Sequence, residues 1–290
     1  LRFNETLNFS NGVLRYANAS NGCFSSRGKI RDDTWQGIVV GRVCSYFMGV
    51  LHEILRALSV IHEIAHDRDS YIDVRYGNIK SDSHHNFDHY DLHITSPHGL
   101  NYDFGSIMHY SRYLGTKNNQ ETMVPKTKYC SYLRTMRQTT RFGFNNARQL
   151  NPEYCSDKYS GSRLNFKMNG YLDHKKNVAF VNACHFLQER KKKDKYLTVS
   201  GNNKCYYKII ASNSRKIRLA VSIDLPDSKV CQPNEGLETK FLVDKSVSSA
   251  VLCGKICGEI ITSEINVFYV KYAVITPNSA VKIKYGEIKY

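Results

Sequence analysis

The plainest periodicity lies late in the chain, where Ile217, Leu219, Val221 and Ile223 alternate with Lys216, Arg218, Ala220 and Ser222. A period of two places alternate residues on opposite sides of an extended backbone, so this segment predicts a strand with one apolar face. Val281, Ile283 and Tyr285 repeat the pattern against Lys282 and Lys284. Several such strands from Tyr196 onward, interleaved with cysteines at 205, 231 and 253, predict a β-sandwich over 196–290. Before Cys155 the pattern is helix and loop, with a helical stretch beginning at His52 in HEILRALSVIHEIAH (52–66). Residues 156–195 between them are polar and read as a linker. The chain is therefore an α+β protein in three parts, 1–155, 156–195 and 196–290.

The helical stretch carries candidate chemistry. Two histidines at i and i+4 on one helix face aim both imidazoles at one metal, and a glutamate after the first serves as general base. Here His52 and Glu53 take the first two places, but Arg56 stands where the second histidine belongs. His62 follows where the helix should end and the chain turn back with a third nitrogen. A guanidinium has no lone pair to give a metal and stays protonated at any physiological pH. Arg56 is therefore expected to swing towards Glu53 and form a salt bridge in the vacated place. A shifted frame, His62-Glu63-Ile64-Ala65-His66, is a formal HExxH, and His66 bending back is a second way to replace the lost ligand.

The stretch resembles the signature of the astacin zinc metalloendopeptidases, within the metzincins. HExxHxxGxxHExxRxDRDxY matches at His52, Glu53, His62, Glu63, Asp67, Arg68, Asp69 and Tyr71, with one residue deleted after His66. It departs at Arg56 for histidine, Ser59 for glycine and His66 for arginine. GSIMHYS (105–111) resembles the family's Met-turn, which implies Met108 beneath the metal and Tyr110 as a tyrosine ligand. GCFSS (22–26), CSYFMGVLHE (44–53), NFD (86–88), MVPK (123–126) and LNPEYC (150–155) agree as well, so the resemblance covers residues 1–155. It implies one Zn²⁺ held by His52, His62 and Tyr110, with Glu53 taking the proton of a metal-activated water in peptide hydrolysis. At Ser59 the helix end wants φ > 0, which strains any non-glycine residue.

The start at Leu1-Arg2-Phe3 resembles an internal stretch of the family domain, so the domain is expected to be N-terminally truncated. Family pairing implies a Cys23–Cys44 disulfide, and for Cys155 a partner before Leu1, or else Cys130. MNGYLDHKK (168–176) faintly resembles an eroded EGF-like segment. KCYYKIIA, VCQ, VLCG and KIKYGEIKY resemble a CUB domain, implying Cys184–Cys205 and Cys231–Cys253; Cys257 has no assigned role. In flavour the chain is similar to the secreted astacins of parasitic nematodes.

Composition then narrows the setting. Nine cysteines favour an oxidising compartment. Asn4-Glu5-Thr6, Asn8-Phe9-Ser10 and Asn18-Ala19-Ser20 are glycosylation sequons, which act only in a secreted chain. No apolar run of about 18 residues predicts a membrane span. The net charge of +15 and the basic run 190–195 suit sulfated glycans or acidic extracellular proteins. Nucleic acid suits the charge too, but the cysteine pattern places the chain outside the cell. The histidines of DSHHNFDHYDLH (82–93) read as a surface loop and His109 as structural. Two functions follow on one fold: a secreted endopeptidase acting on proteins or peptides, with activity weakened or lost through Arg56, or a non-catalytic descendant that binds extracellular proteins or glycans.

Overall fold

The computed structural model of the chain describes residues 13–30, 35–65, 67–89, 99–155, 195–274 and 276–289, with short strands at 171–173, 178–180 and 188–189. Asn4, Asn8, His66, Cys184 and residues 190–194 lie outside the described residues.

The N-terminal half opens with a three-stranded sheet of β1 (Leu14–Ala19), β2 (Cys23–Ser25) and β3 (Gln36–Gly41). β3 is central, parallel to β1 and antiparallel to β2. Helix α1 (Phe47–Ala57) follows, burying Gly49, Glu53 and Ala57 on one face and Leu55 on the opposite one. A disulfide between Cys23 of β2 and Cys44, just before α1, spans a sequence separation of 21 and pins the helix start to the sheet.

The helix stops at a built-in turn. Val60 N–H donates to Leu55 C=O at 2.9 Å and Ser59 N–H to Arg56 C=O at 3.0 Å, the paired bonds of a Schellman end. That geometry puts its C′ residue at positive φ, and Ser59 sits at φ 71°. The chain reverses there and brings His62 back over the helix.

Beyond it, β4 (Ile72–Val74) pairs antiparallel with β5 (Met123–Pro125), and α2 (Phe144–Cys155) closes the half. Next come β6 (Tyr171–Asp173) paired with β7 (Val178–Phe180), and β8 (Gln188–Glu189).

The last part is the expected sandwich. Its strands are β9 (Lys195–Ser200), β10 (Asn203–Ile210), β11 (Arg215–Asp224), β12 (Gly236–Lys240), β13 (Ala250–Leu252), β14 (Lys255–Thr262), β15 (Val267–Val274) and β16 (Ala280–Lys289). One sheet runs β13-β12-β15-β10-β8 and the other β14-β11-β16-β9. The alternating residues Ile217, Leu219, Val221 and Ile223 are all buried, as are Val281 and Ile283 on the neighbouring β16. Cys231–Cys253 is formed. Cys205, whose expected partner is Cys184, is a free thiol among the described residues, half-buried on β10 where Tyr207 shares its face; Cys184 lies outside them.

The two halves share their interior. A single apolar core holds Ile64, Phe87 and Phe104 of the first half together with Leu219, Phe241 and Phe268 of the sandwich. An aromatic ladder crosses the join, Phe104 to Tyr132 at 4.6 Å, Tyr132 to Phe241 at 5.5 Å and Phe241 to Phe268 at 6.2 Å between ring centroids. Glu238 of β12, buried beneath, accepts from Arg141 at 3.1 Å and Lys271 at 2.5 Å. A smaller cluster of Leu55, Val60, Ile107 and Met108 lies under α1.

Candidate metal centre

The turn at Ser59 and the loop 103–110 bring four polar side chains together above the small cluster. His52 comes from α1, His62 from the returning chain, Tyr110 from the loop and Arg56 from one turn beyond His52. His52 Nδ1 lies 2.9 Å from Ile107 C=O, which makes it the protonated nitrogen and leaves a lone pair on Nε2. That Nε2 lies 3.2 Å from His62 Nε2. The proton that satisfies this contact sits on His62 Nε2, so His62 Nδ1 is the acceptor for Tyr110 O–H at 2.7 Å. Arg56 Nη1 presses on the same ring, 3.2 Å from Nδ1 and 2.9 Å from Nε2.

Electrostatics keep both imidazoles neutral. Burial, then the Arg56 cation and then His52 push His62 down to about 2. Burial also lowers His52, with Arg56 adding to it against the bond to Ile107 and the charge of Glu53. With Nε2 protonated, the neutral His62 ring offers only its Nδ1 lone pair, which faces both Tyr110 O–H at 2.7 Å and Arg56 Nη1 at 3.2 Å.

Glu53 faces away from this ring pair. Its Oε2 lies 3.0 Å from Ser25 Oγ on β2, and Arg56 Nε donates to Ser25 C=O at 3.3 Å. The expected Arg56–Glu53 salt bridge is long, 4.0 Å. The guanidinium packs chiefly on His62, 3.2 Å from its accepting Nδ1, in the space left by the missing ligand. Ser25 escaped the sequence reading, since nothing in GCFSS marks one serine as the partner of a glutamate 28 residues on.

The floor is apolar and the back wall polar. Met108 is fully buried, and its C=O accepts from Glu63 N–H at 3.0 Å. His109 bonds Tyr102 O–H at 2.7 Å and the Tyr110 C=O at 2.8 Å, and burial holds it down at about 4, so it is a structural histidine. Glu63 Oε1 accepts from Asp103 N–H at 2.7 Å. Burial and the neighbouring Asp103 raise Glu63 to about 8. Residues Glu63–Ala65, between the two histidines of the shifted frame, form a 3₁₀ turn rather than an α-helix. Of the 82–93 loop, His89 meets Asp69 at 3.2 Å on the surface.

The sequence profile of the astacin peptidase family matches residues 1–155 of the 290. The chain belongs to the astacin family. Zinc metalloproteinase nas-4 of Caenorhabditis elegans is 32% identical over 142 residues, 49% of this chain and 44% of the relative. Blastula protease 10 of Paracentrotus lividus is 38% identical over 117 residues, 40% of this chain and 19% of the relative. The chain thus spans less than half the length of these curated relatives. The hatching-enzyme zinc protease of Oryzias latipes, high choriolytic enzyme 1, superposes with a TM-score of 0.44 at 25% identity, covering 51% of this chain and 70% of that one.

A zinc ion is what an astacin site of this kind holds, so the donors present must be weighed against it. Two imidazole nitrogens on one tetrahedral zinc stand about 3.3 Å apart. The 3.2 Å between His52 and His62 meets that spacing. The place of the second histidine does not, because it presents a cation with no lone pair, and the Tyr110 hydroxyl is turned to His62 Nδ1 at 2.7 Å. Among the described residues no group of three His, Cys, Asp or Glu side chains is placed to hold an ion. The residues present do not fit a resident catalytic zinc.

Proposed function

We propose that this chain is a non-catalytic astacin, a pseudoprotease that keeps the family scaffold and acts outside the cell as a binding module for proteins or glycans. The observation that carries the reading is Arg56, whose guanidinium lies 2.9 Å from His62 Nε2 and replaces a metal by a charge built into the chain. His52, His62 and Tyr110 remain as a hydrogen-bonded cluster, and Glu53 is turned to Ser25. Secretion is supported by the two disulfides, by Asn18 standing exposed on β1 and by family membership. No helix among the described residues is long and apolar enough to cross a membrane. The C-terminal sandwich is read as a CUB-like module on its two-sheet architecture and its Cys231–Cys253 bridge.

The deciding measurement is zinc content after dialysis against excess metal, with hydrolysis of a peptide library, on the parent chain and on Arg56→His. The parent is expected to retain no stoichiometric zinc and to cleave nothing. Arg56→His supplies the missing nitrogen on the ring pair already at ligand spacing, and is expected to bind about one ion. Stoichiometric zinc and cleavage in the parent would sink the proposal and require a substitute ligand.

A further inference from the structure

The outer face of the sheet β14-β11-β16-β9 carries the polar rows of the alternating strands. Its register sets Ile260, Ala220, Lys284 and Tyr196 side by side in one row, with Thr262, Arg218 and Gly286 in the next and Ser222, Lys282 and Thr198 on the other side. Because Ala220 and Gly286 are small, a shallow hollow of about 200 Å³ opens between Arg218 and Lys284, walled by Ile260 and Ile288. Tyr196 is 63% exposed beside it, with Lys282 Nζ 5.5 Å from its ring centroid.

Glu287 also lines the hollow, and the carboxylates at or near this face each have a partner. Asp224, at its far end, stands 3.8 Å from Lys255. Glu287 accepts from Ser212 at 2.8 Å, and Glu259 turns to Ser131 of the first half at 2.8 Å. Arg218, Lys282 and Lys284 stand exposed on rigid strands around an apolar floor, with a flat ring at one end, and they outnumber the one carboxylate of the hollow.

We propose that this face docks a sulfated glycan, with sulfates on Arg218, Lys284 and Lys282 and the apolar side of a sugar ring against Tyr196 and the hollow. The row from Ile260 to Tyr196 crosses four strands, roughly 14 Å, the reach of a short oligosaccharide. Charge complementarity selects a polyanion, and the geometry selects among polyanions. The apolar atoms form a recess rather than a protruding wedge, which suits a sugar ring and not insertion into a membrane. The two central strands have both ladders filled, so no peptide can be added there as a strand. The inference rests on the extracellular binding role above only in its choice of a glycan, and it is read separately from metal content and cleavage.

The test is binding of the whole chain to an immobilised, fully sulfated heparin-type dodecasaccharide and to its desulfated counterpart across a salt series. The parent is expected to bind the sulfated probe alone, more weakly as salt rises. Arg218→Ser with Lys284→Ser is expected to weaken binding at least tenfold. Lys80→Ser with Lys117→Ser, two exposed lysines of the first half with the same change in charge, is expected to stay within twofold. Tyr196→Ala is expected to cost several-fold while leaving the salt dependence unchanged. All these side chains are exposed, and thermal unfolding checks that each variant keeps its fold. Equal loss in both double variants, equal binding of the desulfated probe, or loss confined to phosphatidylserine vesicles would each overturn the proposal.

Discussion

At the scale of single residues, Arg56 and Ser59 show how two departures from a family pattern differ in kind. Arg56 changes what the site can hold, since it puts a donor where an acceptor is needed. Ser59 changes only what the backbone costs. It sits at φ 71°, where a side chain is strained by about 1 kcal/mol or more. Ser59→Gly is therefore expected to stabilise the chain by about 1 kcal/mol, read as a higher urea midpoint with an unchanged slope. An unchanged or lower midpoint would mean that the Ser59 hydroxyl, packed close to Gly28, offsets the strain.

At the scale of elements, the end of β12 and the loop that follows it bury cations that no alternation pattern marks. Lys240 Nζ donates to Lys245 C=O at 2.7 Å and Val247 C=O at 2.9 Å, and Lys245 Nζ donates to Leu242 C=O. Burial, and then the nearby Lys240, hold Lys245 down at about 8, against the opposing pull of Glu264 and Asp244. Between about 8 and the ordinary 10.5 the unfolded chain keeps a proton that the folded chain has released. Stability from this group therefore rises with pH across that window and is lost as pH falls through about 8. Lys245→Met is expected to raise the unfolding temperature at pH ~7 and to flatten its rise between pH ~8 and ~10, both read by thermal scans of parent and variant. A variant profile parallel to the parent's would show that Lys245 titrates normally.

At the scale of the molecule, the sandwich is fixed to the loop that floors the histidine pair. Ser248 donates to Asp103 through Oγ at 3.0 Å and through N–H at 3.1 Å, and Tyr132 O–H donates to Ser248 C=O at 3.1 Å. Gly105 is required by this closeness, because a Cβ there would stand 2.5 Å from Ser248 Cβ. Gly105→Ala is expected to destabilise by roughly 1–3 kcal/mol, with faster hydrogen exchange in 99–110 and 236–252 together. Ser248→Gly is expected to recover part of that loss by removing the opposing carbon. Failure of exchange to rise on the sandwich side would show that the halves open independently.

The sequence by itself determined the periodic elements and the spaced motifs. The alternation at 217–223 and 281–285 could only bury one face, and those residues became adjacent strands of one sheet. His52, Glu53, Arg56 and His62 were legible because a metal site needs fixed spacing, and the positive φ at Ser59 because a helix that reverses so sharply has few ways to end. Contacts between residues far apart in the chain, which carry no local period, were decided by the tertiary structure alone. Ser25 reaches Glu53 across 28 residues and Ser248 reaches Asp103 across 145. Arg56 lies nearer to His62 than to Glu53 because the returning chain brings the accepting Nδ1 to 3.2 Å, against 4.0 Å to the glutamate of its own helix. The shared core was decided there too, because aromatic residues of both halves are buried only when packed on each other.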